Sequence, residues 1–125
     1  MSYSPFSRRI IPLAWVATFL LAAILLVLTL TPQDLPGSGV GRDKIYHMIG
    51  FGSLAFPLCL AYPHRSVAVV IGVIAFGGTI ELVQPYVGRE GEWADLLADA
   101  LGAVLAGALA VTLVRAGRRW WPRSA

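Results

Sequence analysis

The residues of this 125-residue chain that could do chemistry are few: two histidines, seven carboxylates, ten Lys/Arg and one cysteine. Their spacing groups the useful ones on helix faces. Lys44, His47 and Phe51 are spaced i, i+3, i+7, one face of a helix. Glu81 and Gln84 are at i, i+3, and Asp95, Asp99 and Gly102 at i, i+4, i+7. A histidine beside carboxylates can take and return a proton near neutral pH. His47, Glu81 and Asp99 are therefore the candidate catalytic residues. His47 with Glu81, Asp95 and Asp99 could hold a hard divalent cation, although one His and three acids on separate helices are an unspecific ligand pattern. Lys44 and Arg89 could hold an anionic headgroup. The candidate binding set is Asp43, Lys44, His47, Glu81, Gln84, Arg89, Asp95 and Asp99.

The elements that must position these residues are long apolar runs. Apolar residues make up 57% of the chain and charged ones 14%, against about 25% charged in soluble domains. The runs predict transmembrane helices over about 10–30, 45–62, 66–84 and 93–114. The first, Ile10–Leu30, carries no charge and is about 30 Å long as a helix, the thickness of a hydrocarbon core. Arg8 and Arg9 precede it as in a signal peptide, but no Ala-x-Ala site follows, and a retained helix is expected. Pro63-His64-Arg65 is a tight connection and Pro85 stops the third run. The expected fold is all-α, a single membrane domain of four helices over 1–125.

Spans that alternate in direction put the N-terminus, the 63–65 turn and the C-terminus on one side, with seven of the ten Lys/Arg. Arg42, Lys44 and Arg89 lie on the other, with all seven acids on that half. The positive-inside rule then predicts cytoplasmic termini. Trp120-Trp121 in the basic tail reads as an interfacial anchor. The outward loops are Thr31–Lys44 and Pro85–Glu92. Val40-Gly41-Arg42-Asp43 and Val87-Gly88-Arg89-Glu90 are alike, as in a duplicated hairpin, though four residues are a weak match.

A charge at the centre of a membrane helix costs about 2.5–3.5 kcal/mol on insertion scales. Glu81 lies about 6 Å from the end of its helix and Asp99 about 9 Å from the start of the next, by the rise per residue. Polar faces from three helices of one small bundle are expected to meet, within the outer leaflet and beneath the headgroups. Each residue also has a purely structural role open to it. Asp43 and Asp95 suit helix N-termini. Lys44 can snorkel to the interface. His47 can be a satisfied core residue, and Glu81 can pair with Lys44 or Arg89 and lock the bundle. Gln84 can bond a neighbouring helix, and Gly102-x-x-x-Ala106 and Ala103-x-x-x-Gly107 are packing faces. Glu90 and Glu92 read as solvated. Cys59, alone in an apolar run, forms neither an intrachain disulfide nor a metal cluster. The Arg residues sit at helix ends with no aromatic–basic surface, which argues against nucleic acid. No P-loop, nucleophile elbow, GxGxxG or Cys/His zinc spacing is present.

Asp43-Lys44-x-x-His47 with Phe51 and Leu54, then Glu81-x-x-Gln84, Arg89, and Asp95-x-x-x-Asp99 with Gly102, resembles the pattern of the VanZ-like family over about residues 30–110. That family usually has Asn where this chain has Asp99. The resemblance implies a small multi-pass protein of the bacterial cytoplasmic membrane, in a family associated with resistance to the glycopeptide teicoplanin. It implies no reaction. Three functions follow, in order of preference. The first is a cell-envelope protein that binds a membrane lipid or lipid-anchored amphiphile. The second is a membrane-embedded lipid hydrolase or transferase using His47 with Glu81 and Asp99. The third is a structural or partner-binding membrane protein. Oligomeric state and metal requirement are left open by the residues.

Overall fold

The computed structural model of the protein describes residues 5–31 and 41–120. Among them are four long helices: α1 (Pro5–Leu30), α2 (Arg42–Ala61), α3 (Ser66–Val83) and α4 (Trp93–Trp120). Single 3-10 turns, Pro63–Arg65 and Gln84–Val87, follow α2 and α3. All four helices are long and apolar enough to cross a membrane, which suggests a multi-pass membrane protein. Residues 32–40 and 121–125 lie outside the described residues, and with them most of the first outward loop, Asp34 and Trp121 of the aromatic pair.

Helix boundaries depart from the apolar runs at the polar ends. α2 begins at Arg42, three residues before its apolar run, so Asp43 and Lys44 belong to its first turn. An acid there is favoured by the unpaired N–H groups and the helix dipole. α1 reaches back to Pro5 and α4 on to Trp120, because Arg and Gly at a helix end do not stop a helix whose apolar body is already formed. Pro85 sits early in the 3-10 turn that ends α3, and Gly88, with φ +77°, closes it in the left-handed region open to glycine.

The closest packing is between α2 and α4. Gly52 and Gly102 make it possible. A Cβ on Gly52 would lie 3.0 Å from the Gly102 carbonyl oxygen, and one on Gly102 would strike the Met48 backbone. Small residues let helix backbones approach where lipid supplies no hydrophobic drive. Around this seam Phe51, Leu54, Ala55, Val73, Ile80 and Ala103 are buried with Leu25. Many large apolar side chains point outward instead, among them Leu13, Phe19, Val67, Leu97 and Leu101. A soluble bundle would bury such a surface. α1 packs mainly on α2 and touches α3 little.

Candidate functional site

The C-terminal ends of α1 and α3 and the N-terminal ends of α2 and α4 meet at one end of the bundle, and the polar side chains gather there. His47 lies one turn into α2, Glu81 in the last turn of α3, and Asp95 and Asp99 in the first two turns of α4. All four are buried, Asp99 completely. His47 Nδ1 is 2.9 Å from Asp99 Oδ1, and its Nε2 is 3.7 Å from Asp95 Oδ2. The imidazole lies parallel to the Phe51 ring below it, with centroids 6.0 Å apart. Glu81 Oε2 accepts the backbone N–H of Glu92 at 2.8 Å. His47, Glu81 and Asp99 each present a ligand-type atom, all within 4.8 Å of one another.

Lys44 stands beside this set in a network of its own. Its ammonium reaches Glu92 Oε2 at 3.0 Å, Asp95 Oδ1 at 3.2 Å and Asp43 Oδ2 at 3.4 Å. Asp95 therefore joins the two groups, with one oxygen toward Lys44 and the other toward His47.

Gln84 and Arg89 do different work from the rest. The Gln84 side-chain amide donates to the Thr29 carbonyl at 3.2 Å. Arg89 Nη1 donates to the Leu28 and Thr31 carbonyls, each at 3.3 Å. The Leu28 and Thr29 carbonyls are in the last turn of α1, where carbonyls have no partner within the helix, and Thr31 directly follows it. The 84–92 segment thus caps α1. The pairing of Glu81 with Lys44 or Arg89 considered from the sequence does not form, because both cations are held elsewhere. Glu90 is exposed as expected.

Three contributors were not singled out by spacing. Glu92, read as solvated, anchors Lys44 through its carboxylate and Glu81 through its N–H. Gly91 lies against the Glu81 backbone, where a Cβ would collide with the carbonyl oxygen. On α3, Gly77 leaves room for Asp99: a Cβ there would be 2.7 Å from Asp99 Oδ2 and 3.1 Å from Phe51. The signal for Gly77 was available, since it lies four residues, one turn, before Glu81. Glu92 and Gly91 carry no periodic signal because they are in a loop.

Two oxygens in this buried cluster are unpaired. Glu81 Oε1 and Asp99 Oδ2 have no hydrogen-bond partner. A buried polar atom without a partner costs about 1–3 kcal/mol, more when charged.

A groove of about 680 Å³ lies elsewhere, between α1 and α3 over α2. It runs from Phe76 to Tyr62 and Arg65 and is lined mainly by apolar side chains. None of the eight candidate binding residues lines it. Phe76, which lines the groove, lies 6.2 Å by ring centroids from Phe51, the ring stacked under His47. No family model, no curated protein and no solved structure matches the chain.

Proposed function

We propose that the protein is a VanZ-like, multi-pass protein of the bacterial cytoplasmic membrane that binds a lipid or lipid-anchored amphiphile. Its termini are cytoplasmic by the distribution of Lys/Arg, which puts the His47 end of the bundle in the outer leaflet. One juxtaposition carries the reading. A buried cluster with unpaired carboxylate oxygens lies at one end of the bundle, and an apolar groove begins just beyond the Phe51–Phe76 pair. A polar headgroup needs the first and an acyl chain the second.

The test uses full-length protein purified in native lipid discs, with co-purifying lipid identified by mass spectrometry. Glu81→Gln alters the polar end and Gly72→Trp fills the groove, where a Cβ meets nothing within 4 Å. Each is expected to change the identity or occupancy of the retained lipid. If neither does, the amphiphile reading fails.

A second reading, a membrane-embedded lipid hydrolase or transferase, is favoured by the 2.9 Å contact of His47 Nδ1 with Asp99. A carboxylate on one ring nitrogen orients an imidazole for proton transfer at the other, although here Asp95 stands toward that other nitrogen. Lipid turnover in proteoliposomes decides it. No product across a broad lipid panel rejects the enzyme.

A further inference from the structure

Two groups of carboxylates stand at this end of the bundle, and they differ in how their charge is met. Asp43, Glu92 and Asp95 form one. Its cation is already in place, because the Lys44 ammonium is within 3.4 Å of all three. Glu81 and Asp99 form the other, with His47. Lys44 is taken up by the first group, and Arg89 by backbone carbonyls.

Each carboxylate in the second group is fixed through one oxygen and leaves the other unpaired. Glu81 is held by the Glu92 N–H at Oε2, leaving Oε1. Asp99 is held by His47 at Oδ1, leaving Oδ2. Glu81 is 8% exposed and Asp99 0%, so water has little access to either. Buried carboxylates of this kind are paired or coordinate metals.

We infer that His47, Glu81 and Asp99 form a binding site for a divalent transition-metal cation of the zinc or manganese class. This rests on reading the cluster as a binding site and names what binds there first.

The donor set is one imidazole nitrogen and two carboxylates, which suits zinc, manganese or iron(II) better than calcium or magnesium. The spacing is also suitable. Adjacent ligands about 2.1 Å from one ion are about 3 Å apart, and opposite ones about 4.2 Å. His47 Nδ1 and Asp99 Oδ1 are 2.9 Å apart, and an ion between them would replace the hydrogen bond they now share. The three atoms lie within 4.8 Å of one another, so an ion would draw an opposite pair in by up to about 0.6 Å and an adjacent pair by up to about 1.8 Å, which side-chain rotations must supply.

The surroundings have the form of an outer shell. Asp95 faces the other imidazole nitrogen, as a carboxylate does behind many metal-bound histidines. Lys44 holds Asp95, and the Glu92 N–H fixes Glu81. Three protein ligands leave further coordination positions open.

The experiment uses the full chain in lipid discs, carrying His64→Ala so that His47 is the one histidine. After chelator treatment it is titrated with Co2+, Zn2+ or Cu2+ and its metal content measured. Uptake of about one ion per chain is expected, weakened at least tenfold by His47→Ala or Glu81→Gln and retained in Asp43→Asn, since ligand loss typically costs more than the 10–100-fold of an outer-shell change.

Should the variants not fold, electron paramagnetic resonance of the Cu2+-loaded His64→Ala protein decides. Imidazole nitrogen coupling supports the site and its absence overturns it. The inference also fails if the folded protein takes up no ion, or if uptake is as strong in His47→Ala, whether or not Asp43→Asn lowers it. Lipid retained with no metal uptake sinks the cation and leaves the amphiphile reading standing. Metal uptake with no selective lipid does the reverse.

Discussion

Replacing Gly77 with alanine would test whether α3 and α4 are as tightly matched at the site as the distances indicate. The added methyl would lie 2.7 Å from Asp99 Oδ2, against 3.4 Å or more for ordinary contact. One partner must move by about 0.7 Å, and forcing a methyl into a packed site typically costs about 1–3 kcal/mol. Neither neighbour can yield freely, because Asp99 and Phe51 are both 0% exposed and Asp99 is held by His47. The change also gains helix propensity, of the order of 0.5–1 kcal/mol for Gly to Ala. Gly72→Ala, on the same helix with nothing within 4 Å, serves as the reference because it carries the same gain without the clash. Reversible unfolding of both variants in mixed micelles should therefore differ by about 1–3 kcal/mol, with Gly77→Ala the weaker. Metal retention should fall in Gly77→Ala and not in Gly72→Ala. Equal stability of the two variants would refute the claim that Gly77 is required by the Asp99 carboxylate.

Lys44→Met removes the cation shared by Asp43, Glu92 and Asp95; it should lower the thermal midpoint, and adding Asp95→Asn should recover part of the loss in a double-mutant cycle. Gln84→Ala leaves the Thr29 carbonyl at the end of α1 without its side-chain donor; a loss of about 1–3 kcal/mol in unfolding free energy is expected, as for other orphaned buried groups. For topology, Glu90→Cys should react with an impermeant maleimide from outside intact spheroplasts and His64→Cys only after lysis, while the buried Cys59 stays unlabelled in both. The opposite pattern would invert the orientation and place the site in the inner leaflet.

The four long apolar helices are legible from local sequence because a helix able to cross a membrane needs a continuous apolar run, and each run is read without knowing its neighbours. The polar faces are legible for a related reason. Lys44 with His47, Glu81 with Gln84, and Asp95 with Asp99 lie on the helix surface at spacings set by 3.6 residues per turn. Pairing across helices is a different matter, since it depends on rotation about each axis and on where the loops return. The tertiary structure alone decided that Lys44 goes to Asp43, Glu92 and Asp95, and that Arg89 and Gln84 turn to the carbonyls of α1. It likewise decided that Glu92 is part of the site and that Gly77 makes room for Asp99. Hydrophobicity and helical period are properties of single segments, whereas a partner is chosen only when segments are brought within about 3 Å of one another.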